Sequence, residues 1–470
     1  MTMTIDTLAD NILLDIFDFY RHSQDDTLLW EWHVLAHVCR RWRQIVFESP
    51  RRLDLKIRCK TRSRVSENLS IWPALPIAID FHAASFDTIP RSAMDALENA
   101  DRVAYFKLHV AILKSKTFVA MTSKPFPVLT HLVIYEDRYT SLLPDEFLGG
   151  FAPRLQAIHL RNVAFPGIQR LLRSTSDLIE LQLRNIPIFP ADNLGYLLPV
   201  PMAACLAILP RLETLVLHFN YLVSPSDPMH PPPDTQAVLP ALTNFEFAGT
   251  SKYLEDLMAQ IVCPRLKQIE IFYLIDDDEF RLVQLTRFFN RSMPPFKHAK
   301  FSFGDRSVTL DLYRPTNHIG WDSHRPATTI ITCEPIGSGY LFRMLDELRA
   351  MLATVVDLKF GGKSKSWESR LGDEYNPQWL HFLCQLSSLQ ALYASPVLAG
   401  NIGRALKSVK DEVVAETLPL LDLICLEGQA SYIEEFVVVR QLSGRPLTVV
   451  DTEVEFDQRL SEKLMMSYTH

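Results

Sequence analysis

The sequence predicts an α/β chain, with a small helical unit over residues 1–50 and an irregular solenoid over 51–470. In the solenoid, parallel strands would line the concave face and helices the other. Three observations carry this. A frame L-x-x-Φ-x-Φ, with Φ apolar, recurs along the chain. Segments with helical spacing, such as I-Q-R-L-L-R-S-T-S and Y-L-E-D-L-M-A-Q-I, lie between its copies. The first fifty residues carry two amphipathic helical stripes. At 470 residues the chain is long for one compact core, which suits two domains or a repeat array.

The N-terminal unit comes first. Ile12, Leu13, Ile16, Phe17 and Tyr20 fall on one stripe of a helix, and Leu35, Val38, Cys39, Trp42 and Val46 repeat the spacing. Two such short helices cannot bury both stripes alone, so they need each other and a third surface. Leu8, Asp10, Ile12, Leu13, Ile16 and Phe17, followed by Leu35 and the run Val38-Cys39-Arg40-x-Trp42, resemble an F-box. Ala9 stands where that family usually has proline, and the connection over 21–29 is longer than usual. With the following S-P-R-R-L-D-L-K-I-R-C-K and I-W-P-A-L-P-I-A-I-D-F, the chain is similar to the large F-box group of mushroom-forming fungi. The resemblance implies a substrate-recognition adaptor of an SCF-type cullin–RING ubiquitin ligase. The F-box would bind a Skp-family linker, and through it cullin and RING subunits, while the repeats hold a target protein. The residues expected to meet the linker are Leu8, Ile12, Leu13, Ile16, Leu35, Val38 and Trp42. A helix stripe does not say which partner it meets, so several of these, with Phe17, could instead form the unit's own core.

A basic run follows, from Arg40 to Arg64. It could bind phosphates or form solvated faces of a helix and an edge strand. Leu53, Leu55 and Ile57 alternate with polar residues, the period of a half-buried strand.

The repeats then emerge. Clear copies end at Leu132–Ile134, Ile158–Leu160, Leu181–Leu183, Leu215–Leu217, Phe245–Phe247 and Ile269–Ile271. Five begin two residues after a proline: Pro127, Pro153, Pro210, Pro240 and Pro264. Earlier copies sit at Ile79–Phe81 and Phe106–Leu108, and weaker ones at Leu358–Phe360, Leu389–Leu392 and Leu421–Leu426. Strand, turn and helix in this spacing form the leucine-rich-repeat unit, whose copies share one continuous core. The repeats are degenerate: Asn162 and Asn185 fall one position before the usual asparagine, which only Asn220 matches. The Pro-rich segment 222–237 reads as an exposed loop, and 430–451 as a terminal cap. Between 300 and 335 the pattern changes to alternating strands with a Gly-Asp turn, outside the repeat frame.

In x-Φ-x-Φ-x strands, the x residues face away from the core. The candidate target-binding residues on that face are Tyr135, His159, Arg161, Glu180, Gln182, Arg184, His218, Glu246, Glu270 and Phe272. No motif in the sequence assembles a catalytic or metal site. G-G-K-S-K-S at Gly361 lacks the earlier glycine of a phosphate loop. His33 and His37 share a helix face without a glutamate in register, and the acids 276–279 suit a helix start. The reading is of a non-enzyme without cofactor or metal. Its formal charge of −7 and pI near 6.1 argue against a general nucleic-acid or anionic-membrane binder. The seven cysteines lie far apart and no pair has zinc-finger spacing, as expected of buried thiols in a reducing compartment. With neither a signal-peptide pattern nor an apolar run of membrane-spanning length, the sequence predicts a cytoplasmic or nuclear protein. A non-ligase interaction scaffold and a nucleic-acid binder through 40–64 are the alternative functions.

Overall fold

The computed structural model describes residues 5–22, 33–50, 52–53, 55–59, 69, 75–82, 91–109, 116–136, 141–186, 198–219, 236–273, 281–305, 307–314, 328–333, 338–362, 367, 371–409 and 416–467. Most of the Pro-rich segment, Asn220 and the acids 276–279 lie outside them, as does the basic run beyond Cys59. The chain forms two compact units, 1–178 and 179–470.

The first unit opens with α1 (Asp10–His22), a short α2 (His33–Ala36) and α3 (Arg40–Glu48). The start of α1 is held by an external tie. Arg41 donates from Nη2 to the Leu8 carbonyl and to Asp10 Oδ1, and from Nε to the same carboxylate at 3.1 Å. This anchors the start of α1 to α3. Cys39 caps α3, its Sγ accepting from the Trp42 amide at 3.4 Å, and Arg43 Nε donates to the Ala36 carbonyl at 2.9 Å. Leu13, Phe17, Leu35, Ala36, Ile45 and Val46 are buried, and the Phe17 ring lies 4.7 Å from Trp42.

Five parallel strands follow: β1 (Ile57–Cys59), β2 (Ile77–His82), β3 (Val103–His109), β4 (His131–Tyr135) and β5 (Ala157–Arg161), paired in chain order. Helices α4 (Arg91–Glu98), α5 (Lys116–Thr122) and α6 (Ile168–Leu172) lie in the connections. The fourth and sixth positions of each frame align in register: Phe106, Leu132 and Ile158, then Leu108, Ile134 and Leu160. All six are essentially inaccessible. Behind them Phe106 stacks on Phe126 at 6.1 Å, and Phe147 meets Phe165 edge-on at 5.8 Å. Each such side chain contributes roughly 1.5–3 kcal/mol on burial, so several copies outweigh an imperfect consensus.

The early asparagines have a backbone reason. Asn162 and Asn185 both sit at positive φ, 57° and 50°, a conformation asparagine tolerates better than most residues. Asn162 turns the chain out of β5, and its Nδ2 donates to the Glu136 carbonyl after β4. One position early, it still satisfies the preceding repeat's backbone.

The second unit contains β6 (Glu180–Ile186), β7 (Thr214–Phe219), β8 (Asn244–Gly249) and β9 (Gln268–Tyr273), parallel and in chain order. Helices α7 (Pro199–Leu206) and α8 (Ser251–Gln260) lie between them, and α9 (Val283–Ser292) follows. The region that broke the repeat frame is then resolved. Strand β10 (His298–Phe303) turns back through Gly304, whose amide donates to the Ser307 carbonyl at 2.9 Å, into antiparallel β11 (Val308–Tyr313). Strand β12 (Thr329–Cys333) pairs antiparallel with β11 and parallel with β9. The spatial order is therefore β9-β12-β11-β10, and β13 (Asp357–Gly362) resumes the parallel sheet beside β10. Thus β10, β11 and β12 belong to the sheet as an insert whose spatial order is inverted. Strands β14 (Ala391–Ala394), β15 (Leu423–Leu426) and β16 (Thr448–Val450) complete it, backed by α10 (Ser338–Leu352), α11 (Asn376–Cys384), α12 (Pro396–Lys407) and α13 (Glu434–Leu442).

The terminal cap is pinned by a buried arginine. Arg440, 1% exposed, donates to the carbonyls of Thr417, Leu418 and Leu421 at 3.1, 3.0 and 2.7 Å. The chain continues past 451 into α14 (Glu453–Ser467), which folds back onto β14 and β15.

Candidate recognition surfaces

The sheet geometry separates two faces. Leu358, Phe360, Leu392, Ala394, Ile424 and Leu426 pack under the helices, as in Phe360 against Trp379 at 5.5 Å. The alternate positions point to the other, open face. All ten target-binding candidates occupy such positions.

In the first unit, Tyr135 of β4 pairs in register with Arg161 of β5, and Val133 with His159. Arg161 is exposed, while Tyr135 and His159 are half-buried. The row is mixed: the Val133 side chain between them is buried.

In the second unit Glu180, Gln182, Arg184, His218 and Glu246 form a connected polar network over β6–β8. Gln182 Nε2 donates to Glu180 Oε1, and Arg184 Nε donates to Gln182 Oε1 at 3.1 Å. Arg184 then grips Glu246 of β8 with both terminal nitrogens, at 3.0 and 2.7 Å. His218 of β7 brings Nε2 to 3.0 Å from the same carboxylate, near enough for charge but poorly aligned for a hydrogen bond. The Glu246 carboxyl is held down at about 2: the His218 ring does most of this, burial opposes it, and Arg184 adds to it. Phe272 of β9 meets the His218 ring edge-on at 6.4 Å, and Gln268 Nε2 donates to Glu270 at 2.7 Å. Sequence pattern places these residues on one face; it does not reveal that Arg184 and Glu246, 62 positions apart, neutralise each other. The network holds its side chains in fixed positions, as a preorganised contact surface requires.

The N-terminal unit divides its stripes. Of the seven linker-contact candidates, Leu13 and Leu35 are enclosed in the unit's own core, at 0% and 6% exposure. They have no surface to offer a partner. Trp42 and Leu8 are half-buried, Trp42 against Phe17. Ile12, Ile16 and Val38 remain exposed, at 44%, 39% and 56%. Phe19 and Val34, at 75% and 52%, join them although the sequence reading did not single them out. Ile12, Ile16 and Phe19 lie at i, i+4 and i+7, one outward stripe of α1 beside the inward one of Leu13 and Phe17.

Among the described residues of the basic run, three arginines pair with acids. Arg41 binds Asp10, Arg52 binds Asp15, and Arg58 lies 3.3 Å from Asp80 across β1 and β2. Nothing among the described residues groups three metal-ligating side chains, and no helix there is long and apolar enough to cross a membrane. Cys59 and Cys263 are buried, which pushes their thiols up to about 12.

No family model matches this chain, and no curated protein matches it. Among solved structures, the leucine-rich repeat-containing protein LegL7 from Legionella pneumophila aligns over 84% of this chain and 99% of its own. The identity is 11% and the TM-score 0.26, too low to carry an argument about function. The fold rests on the chain's own strands: a mixed α/β architecture of parallel strands backed by helices, of the leucine-rich-repeat kind.

Proposed function

We propose that this chain is the substrate-recognition subunit of an SCF-type cullin–RING ubiquitin ligase. Its N-terminal helices dock a Skp-family linker and its repeats hold a target protein. The observation that carries the reading is the apolar stripe of Ile12, Ile16 and Phe19, with Val34 and Val38 also exposed nearby in sequence. Exposed apolar residues gathered on one small helical unit are the mark of a docking surface. The F-box resemblance of the same segment supplies the partner's identity. On this reading the chain performs no covalent step. It raises the local concentration of target lysines at the ligase, an effect of proximity.

The core assignment chooses the variants. Leu13→Asp would disrupt the unit itself, whereas Ile12→Asp with Ile16→Asp alters only outward positions. Intact protein is expected to co-purify with the linker and cullin, and the double variant to lose at least tenfold of both while keeping its circular dichroism spectrum. Absence of linker from the intact protein overturns the ligase reading and leaves an interaction scaffold.

A further inference from the structure

The open face of β13–β15 is already occupied, and the occupant is part of the chain. Lys359 of β13, Tyr393 of β14, Cys425 of β15 and Val450 of β16 stand in one register row on that face. All four are almost inaccessible, at 3%, 3%, 0% and 3%. Helix α14 covers them. Phe456 and Leu460, one turn apart on α14, are buried against Ala391, Tyr393, Leu423, Cys425 and Val450. The Phe456 ring lies 5.7 Å from Tyr393.

The polar part of this contact is specific. Lys359 Nζ binds Asp457 directly and lies 3.6 Å from Glu453. The same ammonium sits 5.6 Å from the ring centres of both Tyr393 and Phe456. A lysine enclosed in this way needs an opposite charge brought to it, because an uncompensated buried ammonium is costly. The two carboxylates come from the partly exposed edge of α14, with side chains 53% and 39% accessible. The surface thus reads a helix carrying an acid, a phenyl ring three residues on, an adjacent acid, and a leucine one turn later. Tyr393 Oη also donates to Glu427 at 2.7 Å, which fixes the ring that Phe456 meets.

Two features distinguish this from an ordinary core contact. The attachment is short: only Asp451 and Thr452 separate β16 from α14. Over 453–460 the helix buries only Phe456 and Leu460, and Val454 beside Phe456 is 79% exposed.

We propose that the open face of β13–β15 is a binding site for an acidic amphipathic helix, and that α14 is its built-in, displaceable occupant. A partner protein presenting the same acid-x-x-Phe-acid-x-x-Leu helix competes for Lys359, Tyr393 and the apolar floor. This inference is independent of linker docking and uses a different part of the molecule.

The test uses the full chain and a fluorescein-labelled peptide of residues 451–470. Phe456→Glu with Leu460→Glu releases α14; Glu453→Lys with Asp457→Lys is a second, charge-only route to release. Hydrogen exchange reports whether α14 is released and whether β14 and β15 keep their protection. Wild type, with its site filled, is expected to bind the peptide at least tenfold more weakly than either released variant. Adding Lys359→Glu to a released variant should cost at least tenfold, and a peptide with Glu453→Lys and Asp457→Lys should restore binding to it. A released variant with β14 and β15 still protected that does not bind the peptide overturns the proposal. So does loss of protection throughout β13–β15 in both released variants, since the face then exists only with its helix attached. A wild-type dimer in light scattering that becomes monomeric in both released variants also overturns it, because the helix would then serve a second copy.

Discussion

The open face of the second unit has two stretches built on the same strand geometry with opposite outcomes. Over β6–β9 it presents Gln182, Arg184, His218 and Glu246, tied to one another, with Glu270 beside them, all half-exposed. Over β13–β16 it presents Lys359, Tyr393, Cys425 and Val450, which α14 hides. The backbone cannot account for the difference, because both stretches are parallel strands in register. The alternate residues decide it. Where they are polar and mutually neutralised, the face can stand in water. Where they are apolar around one cation, exposure would leave a sizeable apolar patch and a helix covers it.

The largest way to break this contrast is at Phe456. Its ring is fully buried, so Phe456→Ala should cost about 3–5 kcal/mol of docking energy. Hydrogen exchange should show α14 amides losing protection while those of β6–β9 stay unchanged. Equal loss in both stretches would mean that the two faces are not separate.

A smaller effect is expected at Glu246. Its folded pKa, about 2, lies below the ordinary 4.5, so ionised Glu246 stabilises the fold above pH 4.5. That contribution is lost as pH falls from about 5 toward 2. Because Arg184 and Glu246 remain part-exposed, solvent screening reduces the effect to about 1–2 kcal/mol. Glu246→Gln should therefore lower urea stability by this amount at pH 7 and very little at pH 2. A deficit that stays constant with pH would place the cost in packing.

The smallest is expected at Glu270, which accepts from Gln268 on its own strand. Glu270→Ala should change stability by no more than about 0.5 kcal/mol. Urea denaturation would detect a larger loss, which would extend the tied network onto β9.

Much of this was legible in the sequence, for identifiable reasons. The frame L-x-x-Φ-x-Φ placed the repeat strands and assigned the ten candidates to the alternate strand positions, since side-chain alternation is a local property. The hairpin over 298–313 was legible as alternation around a Gly-Asp turn. Its position in the sheet was not, because strand order depends on pairing between distant segments. At the N-terminus the stripes were visible, but Leu13 and Ile16 lie on adjoining parts of one helix face. Only packing separates the inward residue from the outward one. Lys359 and Tyr393 escaped notice because they lie in the weakest repeat copies. Helix α14 sets Phe456 and Leu460 near Glu453, Glu455 and Asp457, a faint signal that follows the segment read as the cap.

The inverted insert between β9 and β13 bears on how this molecule can be cut or lengthened. An ordinary solenoid touches only neighbouring repeats, so repeats can be gained, lost or folded in series. Here β12 completes the edge of β9, and β10 begins the edge for β13, although β10 precedes β12 in the chain. A boundary drawn anywhere between 298 and 333 would strand unpaired backbone on both pieces. The second unit is in that sense indivisible at its middle, a fastening that prevents repeat-by-repeat exchange between its two open faces.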